Sequence, residues 1–506
     1  MLAVGLVSIV TWQNWLLEPH PVRDGYVLHA GRGMFDDAKF VYFYYHLGLL
    51  PVMSTQAAHV ESRAGAERHV RDHPGSLRMD SSWTWLEGGW ARIFLYLPDV
   101  WVKGDSRAPS VKLANTIAFQ LALCAMFLGF WWIGLPQLGA LSVLFAGSNP
   151  FQIHAVHVLE SVHSWVITTA LLMLAIHLPL LAPDRRPRTA YLWIAPVLAG
   201  LLLGTVRGIR SEAAIMLAAG VFTYVSLVGH SWRFRSLLVA LMIGSFVATD
   251  FGWNRYFEHE YREAQRVLAQ VGGNPLPRPF QRHHRIWHPI FCGLGDFDQK
   301  YGYRWLDEAG LDYAKPRMES RYNIYVPPTL DGNNGYRVVN STLPAAAFWD
   351  RQRIYRRLPY EMKEYEAVIR DKVLGDIMRD PGWYATILAK RVTKLNLRMT
   401  PVRAALGSVR WEVPATGFLI IPLVVMLMAA GSWALLKVVV FTLPTCVTAV
   451  LIYSAWGTTY YAIYHLFMMA VIVALLLAAA GRAVGAAREW IRPTAFRRSP
   501  RAAGPA

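Results

Sequence analysis

The chain predicts an all-α polytopic membrane protein with about ten transmembrane helices and two large extracytoplasmic loops. Three observations carry that prediction. Hydrophobic residues make up 54% of the 506 positions and charged ones only 17%, against roughly 25% charged in an ordinary soluble domain. The apolar residues come in blocks of about the length that crosses a bilayer. Short arginine-rich turns separate these blocks in a regular way, as topology signals do.

Taken in order, the expected spans fall near 1–17, 113–133, 135–150, 162–181, 191–206, 213–229, 236–252, 414–430, 433–453 and 460–480. The first is short and is flanked by Trp12 and Trp15. It has no basic leader region and no small-residue cleavage site, so it reads as a span rather than a cleaved signal. The third is interrupted by Pro136, Gly139 and Gly147. Arg185, Arg186 and Arg188 separate spans four and five, and Arg233 and Arg235 separate spans six and seven. The tail after Gly481 carries Arg482, Arg488, Arg492, Arg497, Arg498 and Arg501. With ten spans all three groups fall on one side, which the positive-inside rule makes cytoplasmic. The expected location is therefore a bacterial-type plasma (inner) membrane, with the C-terminus cytoplasmic.

That topology divides the chain into an N-terminal membrane module (1–253, with a first outer loop over 18–112), an outer loop domain (254–413), C-terminal membrane helices (414–480) and a basic tail (481–506). Within the second loop, Met362, Tyr365, Ile369, Val373 and Ile377 form one stripe of a helix over 361–379. Asp380-Pro381 then gives an N-cap and a first-turn proline. The following helix carries Trp383, Ile387, Leu388, Val392 and Leu395, with Lys390, Arg391 and Lys394 opposite. The formal net charge is +17. No nucleic-acid motif accompanies it, so topology and anionic membrane lipid are its expected uses. Three cysteines, Cys124, Cys292 and Cys446, form no disulfide or metal-knuckle pattern.

Four stretches can carry chemistry. The first is Gly31-Arg-Gly-Met-Phe-Asp36-Asp37-Ala-Lys39, at the mouth of an aromatic run. An N-cap role accounts for one aspartate, and the second is left for catalysis or metal binding. Asp24, in an Asp-Gly turn, is the reserve acid. The second stretch is His154-Ala-Val-His157-Val-Leu-Glu160-Ser-Val-His163, with a polar residue at every third position. His157 and Glu160 can share a divalent cation, the one cofactor the sequence suggests, or simply form an interfacial polar stripe. An acid at the mouth of a span is costly unless used, which favours a functional Glu160. The third is Arg207-Gly-Ile-Arg210-Ser-Glu212. Its arginines can grip a phosphate, or pair with Glu212 and close the turn. The fourth holds His283, His284, Arg285 and His288 among aromatics, and suits an anionic lipid head group or an exposed basic loop.

Together these features resemble the GT-C superfamily of integral-membrane glycosyltransferases. The acid pair Asp36-Asp37 followed by aromatic Phe40–Tyr45 is similar to that family's first outer loop. Asn149-Pro150 leading to Glu160 is similar to its second acid. Gly200-Leu-Leu-Leu-Gly204-Thr-Val-Arg207 is similar to a glycine-rich span ending in arginine. The polar portion lies between spans seven and eight rather than at the C-terminus, and no Trp-Trp-Asp motif of oligosaccharyltransferases is present. The resemblance implies an inverting enzyme that takes sugar from a polyprenyl-phosphate carrier to a glycan, lipid or protein acceptor on the outer face. It implies Asp36 or Asp37 as base and Glu160 as the group orienting acceptor or metal. Arg207, Arg210 and the His283–His288 stretch would then hold the lipid phosphate. A lipid-linked sugar transporter or flippase is the rival reading. It would be expected to show inverted repeats and midplane charges, which the sequence lacks. A non-catalytic membrane scaffold is the third.

Overall fold

The computed structural model describes residues 2–17, 48, 52–54, 63–79, 93–103, 111–149, 152–153, 164–181, 189–209, 211–273, 286–322, 324–325, 339–340, 363–397, 400–406, 408–429, 431–441, 443–452, 466 and 468–481. Within them the protein is mostly helical, and four helices are long and apolar enough to cross a membrane. The N-terminal part runs α1 (Leu2–Leu17), β1 (Val52–Ser54), α2 (Arg63–Asp72), β2 (Leu77–Met79), α3 (Ile93–Lys103), α4 (Lys112–Trp132) and α5 (Pro136–Gly147). It continues with α6 (Ser164–Leu181), α7 (Thr189–Arg207), α8 (Leu217–Val225) and α9 (Trp232–Val271). The four long apolar helices are α4, α6, α7 and α9.

Their packing follows from small residues. The α5 helix starts with Pro136 in its first turn, where the missing N–H costs nothing. Gly139 and Gly147 do not break it. They let it lie against Phe130 of α4 and Val10 of α1, where an added Cβ would come within 2.9 and 2.8 Å. With 12 residues, α5 reaches about 18 Å, short of the roughly 30 Å bilayer core. The tightest seam joins α7 to α9. A Cβ on Gly200 would sit 2.5 Å from the Met242 carbonyl oxygen, and one on Gly204 would sit 2.7 Å from Thr249 Cβ. This small-xxx-small spacing lets two backbones approach, as in membrane helix pairs.

The two ends of the bundle differ. At one end, Trp131 and Trp132 of α4, Trp193 of α7 and Trp232 of α9 are exposed, an aromatic belt of the kind that marks a membrane–water interface. There Arg235 donates to the Val225 carbonyl (2.9 Å) and Lys437 to that of Ser226 (3.1 Å). Both cations thus cap the C-terminus of α8, where the helix dipole favours positive charge. At the other end, Val111, Ile209 and Phe257 join one apolar cluster, with Trp165 packed against it. The polar segment that follows α1 packs on α9 at this end.

The α9 helix does not stop where its apolar stretch does. Ser231 caps its start, its Oγ accepting the Phe234 N–H at 3.3 Å, and Gly272 ends it in the left-handed conformation (φ 79°). Its 40 residues span about 60 Å, so the helix passes residue 253 unbroken. Beyond that point Phe257, Tyr261, Ala264 and Leu268 form a stripe buried against Ala66, Leu77, Ile93 and Tyr96. The opposite face carries Arg255–Glu258, Glu258–Arg262 and Glu263–Arg266 pairs. The Arg262 guanidinium beside Glu258 holds that carboxyl below its usual range.

The second polar segment forms its own core from α10 (Trp287–Leu294), α11 (Asp307–Tyr322), α12 (Lys363–Arg379) and α13 (Pro381–Leu397), with a short β3–β4 pair (Ile324–Tyr325, Val339–Asn340). The stripe expected on 361–379 is there: Tyr365, Ile369 and Val373 are buried with Phe291, Trp383 and Ile387. Asp380 caps α13 through the Trp383 N–H (3.0 Å), as Asp-Pro predicts. One face was misread. Val392 is exposed, and Arg391 is fully buried against Asp296 (3.2 Å) rather than opposite the core. The cation turns inward because a carboxylate waits there.

After α13, β5 (Thr400–Leu406) and β6 (Val409–Ala415) form an antiparallel hairpin. The span expected from 414 therefore begins in a strand. The hairpin docks on the membrane bundle: Ser148 Oγ at the end of α5 accepts the Ala405 N–H at 3.0 Å, and Phe145 stacks on Trp411. The chain continues as α14 (Ile420–Ala429), α15 (Trp433–Val440), α16 (Leu443–Ile452) and α17 (Met468–Gly481). The expected ninth span is thus two short helices.

Candidate functional site

Of the residues expected to carry chemistry, Arg207 and His288 are described. Asp24, Asp36, Asp37, His157, Glu160, Arg210, His283, His284 and Arg285 lie outside the described residues. The stretch that carries Glu160 is bounded by Ile153 and Ser164, and Gln152 Nε2 donates to the Ser164 carbonyl at 3.4 Å. Its two ends are therefore held together at the start of α6.

Arg207 is the last residue of α7, so the helix dipole favours its charge. It reaches across the seam to Asp250 of α9, Nη1 to Oδ2 at 2.5 Å. Its guanidinium carbon lies 5.8 Å from the centre of the Phe246 ring, one turn earlier on the same helix. The approach that Gly200 and Gly204 permit is what puts Asp250 within reach. The pairing uses one nitrogen of the fork. A guanidinium has five N–H donors, so others stay available to a second anion.

Asp250 also lines a pocket of about 140 Å³ between α3, α7 and α9. Its walls are Phe94 and Leu95 of α3, Gly204, Thr205, Gly208 and Ile209 around the end of α7, and Trp253 and Phe257 of α9. Trp253 is fixed by its indole N–H, which donates to Thr205 Oγ1 at 3.3 Å. Phe94 lies 6.0 Å from Trp253 and 6.1 Å from Phe257, centre to centre. Asn254 sits one turn beyond Asp250 on this wall. Its Oδ1 is buried and meets no hydrogen-bond donor among the described residues. An apolar cavity with a few convergent polar groups is a default binding-site candidate.

His288 is elsewhere. It lies on α10, inside the core of the second polar segment, with Nδ1 2.6 Å from the Tyr365 hydroxyl. It is buried there with Cys292 four residues on, 3.8 Å from Nε2. The structure thus sets His288 in a packed core, apart from Arg207.

Sequence reasoning passed over three charges, Asp99 and Arg403 buried and Asp250 half-buried. Asp250 and Asp99 sit in apolar helical stretches, and Asp99 of α3 is only 3% exposed. Arg403 is buried on the strand of the hairpin that docks against the bundle. Ionisable residues inside apolar helices are expensive and are functional candidates by default. That signal was available for Asp250 from its position within an expected span. No family model, curated protein or solved structure matches the chain.

Proposed function

We propose that the protein is a GT-C-type membrane glycosyltransferase, moving a sugar from a polyprenyl-phosphate carrier to an acceptor on the outer face of a membrane. The observation that carries this reading is Arg207. It is a cation oriented by Asp250 and Phe246 at the end of a membrane-length helix, at the end of the bundle where the first polar segment packs on α9. A lipid-phosphate substrate needs a fixed cation at the membrane boundary, and Arg207 is placed to supply one.

In this reading Asp36 or Asp37 accepts the proton of the acceptor hydroxyl. The hydroxyl oxygen bonds to the sugar's anomeric carbon as the bond to the carrier phosphate breaks with inversion. The lipid phosphate leaves with the electron pair, and Arg207 and Arg210 stabilise its charge. Glu160 orients the acceptor, or a divalent metal held with His157. His283, His284 and Arg285 are proposed as further contacts to the donor. His288, given its burial, supports that loop from the core rather than touching the donor.

The test is transfer activity in membranes carrying Asp36→Asn, Asp37→Asn or Glu160→Gln at matched expression. Loss in at least one aspartate variant and in Glu160→Gln is expected. Full activity in all three would overturn the assignment.

A further inference from the structure

We infer that the pocket between α3, α7 and α9 is a binding site for the hydroxyl-bearing end of a neutral amphiphile that enters from the membrane. If the transferase reading holds, this ligand is the acceptor; that part of the inference rests on the reading, and the site itself does not.

Three features select this ligand. The first is volume and lining. About 140 Å³ walled by Phe94, Leu95, Ile209, Trp253 and Phe257 is close to the roughly 150 Å³ apolar cavity that takes up benzene rather than water. A hydrocarbon segment fits, and a solvated polar molecule does not. The second is charge. The ionisable group on the wall is Asp250, whose carboxylate is already paired with Arg207. An anionic head entering here would face that carboxylate, whereas a neutral hydroxyl can donate to it. The third is Asn254, a residue of the pocket wall whose Oδ1 is covered and meets no donor among the described residues, so that a turn of its amide toward the pocket would bring that acceptor to a ligand hydroxyl. A buried acceptor left unmet is costly, and a ligand hydroxyl relieves that cost. Asp250 and Asn254 are four residues apart on α9, so they project from one face and can meet the same polar end.

Exposed apolar residues mark the entry route. Val247 and Phe251 of α9 are more than half exposed, as are apolar residues such as Leu121 and Leu128 of α4. Lipid-facing surface therefore continues along the helix to the pocket, so the amphiphile arrives from the bilayer and not from water. The lipid phosphate of the donor is assigned to the unpaired donors of Arg207 outside this pocket, and the two ligands would flank the Arg207–Asp250 pair.

The experiment uses the full chain in nanodiscs and three photoreactive probes of one chain length: a diazirine-bearing alcohol, its phosphate monoester and the parent hydrocarbon. Labelled peptides are mapped by mass spectrometry. The alcohol is expected to label the segments around Phe94, Thr205 and Trp253 in preference to the other two probes. Asn254→Leu keeps the side chain's size but removes the acceptor, and should lower that labelling about tenfold, while Asn254→Asp should retain it. Should Asn254→Leu fail to fold, competition on the unaltered chain decides, since unlabelled alcohol must displace the probe where its phosphate ester does not. Equal labelling by all three probes, preference for the phosphate ester, or labelling indifferent to Asn254→Leu would overturn the site. Alcohol labelling in a chain that performs no transfer would leave the site standing and remove the acceptor assignment. Transfer that depends on Asp36, Asp37 and Glu160 without alcohol labelling would do the reverse.

Discussion

Replacing Gly200 with alanine tests how the α7–α9 seam builds the Arg207 site. The new Cβ would lie 2.5 Å from the Met242 carbonyl oxygen, 2.6 Å from Ser245 Cβ and 2.8 Å from the Phe246 nitrogen. Two of these neighbours are helix backbone and cannot rotate away. Normal carbon contacts need roughly 3.5 Å or more, so the helices must part by about 1 Å. Overpacking of this kind costs about 1–3 kcal/mol, and alanine returns roughly 0.5–1 kcal/mol of helix propensity. The net loss should be about 1–2 kcal/mol. Gly244, on α9 itself, has nothing within 4 Å of the added Cβ, so Gly244→Ala should be neutral or stabilise by up to about 1 kcal/mol. Reversible unfolding in mixed micelles measures both. The same 1 Å lengthens the Arg207–Asp250 contact of 2.5 Å toward the hydrogen-bond limit. Gly200→Ala should therefore also weaken donor affinity, while Gly244→Ala should not. Equal stability and equal donor affinity in the two variants would refute the reasoning.

Other perturbations follow from the same structure. Arg391 and Asp296 are both fully buried, and breaking such a pair costs about 3–5 kcal/mol while replacing both partners is often neutral. Arg391→Met alone should lower thermal stability sharply, and Arg391→Met with Asp296→Leu should recover most of it. Lys300, the Trp383 N–H and the Tyr301 hydroxyl hold Asp380 below the usual carboxylate range. Its contribution is present above the unfolded value of about 4 and is lost as pH falls through the lower folded value. Circular dichroism from about pH 6 to about pH 3 should show an acid loss in the native chain that Asp380→Asn flattens. Ser148→Ala removes the contact to the Ala405 N–H at 3.0 Å. Exchange of that amide should quicken by about tenfold if the hydrogen bond contributes a typical 1–1.5 kcal/mol.

The membrane class was legible because lipid imposes a compositional rule that the chain obeys over long blocks. The helices on either side of Asp380-Pro381 were legible because capping and stripe agree locally. The extent of α9 was not. Hydropathy falls after Trp253 because Arg255, Glu258, Arg262 and Arg266 face water, yet Phe257, Tyr261, Ala264 and Leu268 keep the helical stripe. Hydropathy marks where a helix leaves the bilayer, not where it ends. Arg391 was assigned to the polar face because charge alone was read; its partner Asp296 is 95 residues away in sequence, and only the fold joins them. Pairing with Glu212 was one of two readings of the Arg207–Arg210 turn, and Asp250, 43 residues on from Arg207, was not in view for a similar reason. The seam glycines, read as a family likeness, also permit the helix approach behind the Arg207–Asp250 contact. The hairpin over 400–415 was hidden inside an expected loop because its apolar residues do not alternate cleanly: Val402 and Ala405 are buried, while Leu406, Val409 and Trp411 are exposed.

Release of free polyprenyl phosphate tests the central claim most directly, because it needs no knowledge of the sugar or acceptor. Purified chain in proteoliposomes, given a mixture of polyprenyl-phosphate sugars and membrane extract as acceptor, should liberate the carrier phosphate. Asp36→Asn with Asp37→Asn should abolish that release, and Arg207→Gln should raise the donor concentration it requires. Movement of intact lipid-linked sugar across the vesicle with no phosphate released would contradict the transferase reading and favour a transporter.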